Sequence, residues 1–163
     1  MIGSIQFERH GADGVARVVL ANVGKRNAID VAMWRELRSV FEGLQRQPPG
    51  DAPRAVIVSG ASGQFASGGD IVEFAQFRFD EVRLHDFHEH VVAPALQAMQ
   101  GCDVPLLAQI EGACINKRTL RQIARGGPTP AERRGHFGCA DSADHREGVT
   151  AFIEKRPPRF ERG

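Results

Sequence analysis

The segment Arg54–Phe74, RAVIVSGASGQFASGGDIVEF, joins an apolar strand to a glycine-rich turn and a helix start. Its first part, Arg54–Gly60, is a short apolar run that ends at glycine, which is typical of a buried parallel strand. Gly68 and Gly69 let the backbone turn sharply and bring bare N–H groups close to a ligand. Asp70 is the predicted N-cap of the following helix. Two interpretations remain open: a plain strand–turn–helix connection, or a main-chain site for developing negative charge, to which the helix dipole would add.

Apolar strands and amphipathic helices alternate on both sides of this segment. A valine-rich strand from Gly14 pairs with the preceding residues as a hairpin, and Asp30 is a plausible cap for the helix that follows. Pro94 is expected to bend or split a later helix. The sequence predicts an α/β fold with strands of one sheet at 14–20, 55–59 and 106–113, and helices near 31–46, 80–100 and 142–154.

Composition is that of an ordinary soluble domain: 163 residues, 42% hydrophobic and 25% charged. No apolar run is long enough to span a bilayer, and the first residues show no secretory signal pattern. Three cysteines, Cys102, Cys114 and Cys139, lack disulfide or metal spacing, which favours reduced thiols. We therefore expect a cytoplasmic protein with no membrane partner.

Charge is distributed unevenly along the chain. Residues 1–115 carry 10 Lys and Arg against 14 Asp and Glu, whereas residues 116–163 carry 11 against 6. The basic end has no interleaved aromatic residues and no known nucleic-acid-binding module. A solvated helical surface is the favoured interpretation, and we expect no nucleic-acid partner.

Four segments resemble the crotonase superfamily, the enoyl-CoA hydratases and isomerases. They are VGKRNAID (23–30), FASGGDIVEF (65–74), VPLLAQIEGACI (104–115) and DSADHREGVTAFIEKRPPRF (141–160), in the family's order. The resemblance implies a crotonase-like core of ββα units and an enzyme that stabilises a thioester enolate through backbone amides. It also implies an acyl-CoA thioester as partner, no cofactor beyond the coenzyme A of the substrate, and trimers or hexamers.

The resemblance also implies a set of site residues. Gly69 occupies the position whose backbone N–H is the first oxyanion donor. Ser67 and Ile71 lie where the family's chain runs beside the pantetheine and adenine, and Lys25 or Arg26 would pair with a CoA phosphate. The complete set of implied substrate contacts is Lys25, Arg26, Asn27, Ala28, Ser67, Gly68, Asp70 and Ile71.

One departure from the family pattern follows the strand that ends near Ile115. The family continues there with a Gly-Gly-Gly turn, the second oxyanion donor and a helix with a catalytic acid, but this chain continues with Asn116-Lys117-Arg118. We interpret the sequence as a crotonase-like core truncated by an internal deletion. Residues 1–115 would then be the N-terminal part of the core, and residues 116–163 a helical C-terminal segment.

Other candidate groups carry weaker signals. His85, His88 and His90 cluster in HDFHEH, but only the first two are neighbours on a helix, so we expect no metal site. Glu111 lies in the strand before the departure and is a somewhat better candidate for acid–base chemistry.

The function expected from the sequence is acyl-CoA binding of the hydratase/isomerase type, with doubtful turnover. The alternative is a non-catalytic remnant or assembly module of the same family. A missing block should also leave apolar faces of the sheet without partners, because such sheets are covered on both sides.

Overall fold

The computed structural model describes residues 2–9, 11–48, 50–75, 78–112, 114 and 142–159. The chain divides into two compact units: residues 1–69 with 90–116, and residues 70–89 with 117–163. The sequence expectations for residues 115–141 lie outside the described residues.

The first unit is built on a four-stranded sheet in the order β1-β2-β3-β4. The first two strands form the predicted antiparallel hairpin, and the next two pairs are parallel. Parallel neighbours joined by helical crossovers make an α/β fold, as predicted. The strands are β1 (Ser4–Glu8), β2 (Val15–Ala21), β3 (Ala55–Gly60) and β4 (Leu106–Ala108).

Helix α1 (Val31–Gln45) begins where it was predicted, directly after Asp30. The Asp30 carboxylate accepts a hydrogen bond from the Met33 N–H at 2.9 Å. The helix buries one apolar stripe, and its Met33 and Phe41 are fully buried in the same core as Val18 and Val56 of the sheet. Burial of this stripe at helical spacing orients α1 on the sheet.

The helix predicted at 80–100 is interrupted, as the proline indicated. It consists of α3 (Glu81–Phe87), a π-helical turn (His88–Val92) and α4 (Ala93–Gln100), which packs against α1. Pro94 has no N–H to donate to the carbonyl of His90, so the regular ladder cannot run through this position.

The strand predicted at 106–113 was too long, because it ends at Ala108. The Gln109 N–H still donates to the Val58 carbonyl of β3 at 2.8 Å, and the Glu111 carbonyl then accepts from the Phe65 N–H, beyond the end of β3, at 2.8 Å. Gly112 has a φ of +56°, and a Cβ on it would meet the Gly63 carbonyl oxygen at 2.5 Å. This tight, left-handed crossing requires glycine and ends the regular strand.

The second unit contains α2 (Ile71–Phe74), α3 and α5 (Ala143–Ile153). Phe74 and Phe87 pack with ring centroids 4.6 Å apart, and α5 packs against α2. The predicted C-terminal helix at 142–154 is confirmed. In the described part of the chain, no helix combines the length and apolarity needed to cross a membrane.

Candidate functional site

Two loops that are about 40 residues apart in sequence lie side by side in the first unit. The Ser67 N–H donates to the Arg26 carbonyl at 3.0 Å, and the Ser67 hydroxyl donates to the Lys25 carbonyl at 3.0 Å. The Ile29 N–H donates to the Gly68 carbonyl at 2.8 Å, beside a bridge between Ile29 and Gly69. The structure therefore joins the two segments that were assigned to the site separately. Sequence reasoning missed Ile29, which anchors the glycine pair.

The Lys25–Ile29 loop is held by a buried pair of asparagines. Asn27 is 2% exposed and its Oδ1 accepts from the Asn22 N–H at 3.1 Å. Its Nδ2 donates to the carbonyls of Gln64 at 2.6 Å and Ala61 at 2.9 Å. With these internal partners, the Asn27 side chain shapes the loop rather than facing a ligand. Asn22 was also missed, although a buried asparagine directly after a strand is a signal of such a loop.

The cationic side chains of this loop are exposed, whereas its backbone is hydrogen-bonded. Lys25 and Arg26 both point to solvent, and Arg26 has a φ of +50°. Ala28 is buried, and its carbonyl accepts from the Asn22 Nδ2 at 2.8 Å. Exposed Lys and Arg on a fixed backbone are suited to binding an anionic group such as a phosphate.

The glycine pair has backbone N–H groups that bond to no described residue. Gly68 has a φ of +95°, a conformation that other residues adopt only under strain. Gly69 is half-buried, and its N–H forms no hydrogen bond with any residue that the structure describes. A fixed, partly desolvated amide N–H of this kind can stabilise negative charge on an oxygen.

Asp70 and Ile71 belong to the start of α2 in the second unit. Asp70 is 2% exposed and accepts from the N–H groups of Val72 at 3.1 Å and Glu73 at 3.4 Å, which confirms it as the N-cap. Its carboxylate is therefore used structurally. Ile71 is half-buried. The helix has only four residues, so the dipole support that was expected of it is small.

The other candidate groups lie as follows. Glu111 is exposed, and its carboxylate accepts from the Gln109 side chain at 2.7 Å. Among the described residues there is no group of three or more His, Cys, Asp or Glu side chains that could hold a metal ion.

Comparison with known proteins agrees with this arrangement. A family model described as "Enoyl-CoA hydratase/isomerase" matches residues 10–117. The mitochondrial Delta(3,5)-Delta(2,4)-dienoyl-CoA isomerase of Mus musculus is 32% identical over 109 residues, covering 62% of this chain and 32% of that protein. Enoyl-CoA hydratase ACTT3 of Alternaria alternata is 29% identical, covering 69% of this chain and 36% of its own length. The chain thus spans about a third of the length of the curated relatives it matches.

Solved structures show the same relationship. Pseudomonas aeruginosa AtuE superimposes with a TM-score of 0.57 at 31% identity, covering 68% of this chain and 41% of that one. An enoyl-CoA hydratase/carnithine racemase from Magnetospirillum magneticum superimposes with a TM-score of 0.62 over 99% of this chain and 96% of that one, and its 21% identity shows the fold alone. On the match over residues 10–117, with the crotonase fold of these neighbours, the chain belongs to the enoyl-CoA hydratase/isomerase family.

Proposed function

We propose that this chain binds an acyl-CoA thioester and donates the Gly69 N–H to the thioester carbonyl oxygen. One observation carries the proposal: the Ser67–Gly69 segment is fixed against the Lys25–Ile29 loop, yet the Gly69 N–H has no partner among the described residues. Neighbouring groups, the Ser67 N–H and the Gly68 carbonyl, are already used. The Gly68 N–H also bonds to no described residue, so we choose Gly69 as the donor by its position in the family's oxyanion motif.

Such a donor stabilises the transition state more than the ground state. When a proton leaves the α-carbon, or water adds to the β-carbon, electron density moves onto the thioester oxygen. A hydrogen bond to that oxygen strengthens as the charge develops, so it lowers the barrier rather than only tightening ground-state binding. The names of the matched relatives, a dienoyl-CoA isomerase and an enoyl-CoA hydratase, favour an unsaturated acyl-CoA as the substrate class.

The cationic loop supplies the other end of the proposed site. Lys25 and Arg26 are exposed, and the backbone that carries them bonds directly to Ser67, in the segment that ends at Gly69. Charge-assisted contacts from Lys and Arg suit the phosphates of coenzyme A. We assign binding of the nucleotide end to these two side chains.

Turnover is a separate matter from binding. The sequence continues after Ile115 with Asn-Lys-Arg, where the family resemblance implies a second donor and an acid-bearing helix. That departure favours the second candidate function, a family member that binds the thioester without efficient chemistry.

The test of the proposed donor is a pair of substitutions at Gly69. Gly69→Pro removes the N–H, whereas Gly69→Ala keeps it. Isothermal titration of the full chain with a saturated acyl-CoA should show affinity reduced by about three- to tenfold in the proline variant relative to alanine, the worth of one net hydrogen bond. The removed N–H bonds no described residue, so circular dichroism should show both variants folded. Equal affinity in the two variants would refute the role given to Gly69.

A further inference from the structure

Strand β4 has an outer edge whose backbone groups bond to no residue that the structure describes. Its inner edge faces β3, because the Val56 N–H donates to the Pro105 carbonyl at 2.9 Å and the Gln109 N–H donates to the Val58 carbonyl at 2.8 Å. Strand alternation then turns the N–H and C=O groups of Leu106 and Ala108 outward. Those of Ile110, just beyond the strand, follow the same alternation because the Gln109 N–H and the Glu111 carbonyl both bond on the inner side. None of these outer groups bonds to a residue in the described part of the chain.

The same edge is apolar, and within the described ranges it lacks the usual protection. Leu106 is 37% exposed, Leu107 53% and Ile110 48%. No charged residue occurs between Val104 and Ile110. Exposed edges are normally blunted by charges, bulges or an outward-facing proline. Pro105 gives no such protection here, because its backbone nitrogen and carbonyl lie on the side of the strand that faces β3.

We propose that this edge pairs with the same edge of a second copy of the chain, as an antiparallel β4–β4 ladder about a two-fold axis at Ala108. In that register Ala108 faces its own counterpart, and Leu106 faces Ile110 on either side of the axis. Each of these pairs exchanges two N–H···O bonds, so the outer groups of all three residues become satisfied. The exposed Leu106 and Ile110 side chains then lie in direct cross-strand contact.

A second copy fits this edge because the segment is complementary to itself. On the other face of the ladder, Leu107 pairs with Gln109 of the second copy. The nearest carboxylate, Glu111, pairs with Pro105 and therefore meets no like charge. Five paired residues on each side are far fewer than the roughly 20–30 on each side of a stable interface. The resulting dimer is weak and depends on protein concentration.

The test places charges at the proposed axis. In sedimentation velocity over a concentration series, Ala108→Lys and Ala108→Glu should each raise the dimer dissociation constant at least about fivefold, because like charges would face each other across the ladder. An equimolar mixture of the two variants should restore association, and added salt should weaken that recovery. Mixing the two variants restores association only if residue 108 of one copy lies close to residue 108 of the other.

Val82→Lys is the matched control, since Val82 is 78% exposed and the substitution adds the same charge away from this strand. It should associate like the unmodified chain. Acyl-CoA affinity should be unchanged in the Ala108 variants, which keeps this test separate from that of Gly69. A chain that stays monomeric throughout the series overturns the proposal. So does a dimer that is insensitive to charge at residue 108, or a mixture that associates no better than either variant.

Discussion

Asn27 connects two loops through a side chain that ends in one acceptor and one donor group. Its Oδ1 accepts from Asn22 within the loop, and its Nδ2 reaches the carbonyls of Gln64 and Ala61 near the end of β3. Its φ of +54° is one that asparagine tolerates better than most residues. Position 27 thus requires both an amide side chain and a residue that tolerates a positive φ.

Asn27→Ala should lower the free energy of unfolding by about 2–4 kcal/mol. The loss combines hydrogen bonds worth about 0.5–1.5 kcal/mol each with a positive φ that costs alanine about 1–2 kcal/mol. Asn27→Gly removes the same amide but accepts the backbone, so it should cost less. Urea unfolding measures both. Equal losses in the two variants would show that φ at this position carries no strain.

At the residue scale, the sequence predicted the capping role of Asp70, because a cap depends on neighbours within a few positions. The buried role of Asn27 depends on carbonyls 34 and 37 residues away. A residue type alone does not reveal such partners, and the family resemblance, which assigned Asn27 to the ligand, gave no sign of this internal role.

At the scale of elements, the start of α1 depends on one carboxylate with two tasks. Asp30 caps the helix through the Met33 N–H, and its other oxygen accepts from the Gly3 N–H at 2.7 Å. The carboxylate is buried, so its removal would also leave the Gly3 N–H buried and without a partner.

Asp30→Ala should therefore destabilise the chain by about 2–4 kcal/mol, more than an ordinary cap is worth. Asp80→Ala is the matched control, because Asp80 caps α3 through the Arg83 N–H at 3.0 Å in an exposed setting. It should cost about 0.5–1 kcal/mol. Thermal unfolding of both variants measures the difference, and comparable losses would contradict the double role of Asp30.

A pH-dependent contact holds the end of α5. The Arg156 guanidinium binds the Glu147 carboxylate through two nitrogens, and the Arg159 N–H adds a third bond at 2.6 Å. The hydrogen bonds from Arg156, followed by that of Arg159, lower the pKa of Glu147 from 4.5 to about 2. A depressed carboxyl pKa contributes stability that is complete above 4.5 and is lost as pH falls through 2.

Carboxyl NMR of Glu147 should therefore titrate near pH 2 in the unmodified chain. In Arg156→Lys the pKa should rise toward its ordinary value, because lysine keeps the charge but cannot form the two-pronged contact. The helical signal of α5 should also begin to fall at a higher pH in that variant. If Glu147 had the same pKa in Arg156→Lys as in the unmodified chain, charge alone, without the guanidinium geometry, would set this pKa.

Element types were predictable because they follow local periodicity, whereas some boundaries were not. The break before α4 follows from Pro94, a single residue with a known effect. The early end of β4 follows from the crossing at Gly112, where Glu111 bonds to Phe65. That crossing is a long-range event, so the apolar run from Val104 gave no sign of it.

At the scale of the whole molecule, the family assignment rests on the order of the motifs along the chain as much as on sequence identity. The matched region, 10–117, contains β2, β3 and β4 and both loops of the candidate site. Each motif is short and common alone, but the chain folds them into one sheet with the two loops adjoining. Matching in sequence order therefore predicted the fold, whereas the bonds between the two loops came only from the structure.

The last prediction concerns what such a chain can do with a bound thioester, and it rests on the proposed function. One oxyanion donor in place of two costs about 10²–10³ in rate, and loss of a positioned acid or base costs about 10²–10⁴. Against ordinary turnover numbers of about 1–10³ per second, the 163-residue chain should convert an unsaturated acyl-CoA at no more than about 10⁻¹ per second.

The measurement is the loss of enoyl-thioester absorbance, with proton NMR to identify any product. Titration with a saturated acyl-CoA in the same preparation should still show binding, and residual turnover should fall further in Gly69→Pro than in Gly69→Ala. Turnover above about one per second would mean that this chain supplies a second donor and an acid–base group from outside the two loops. Slow turnover that is insensitive to both Gly69 variants would instead place the chemistry away from the glycine pair, even if the thioester binds.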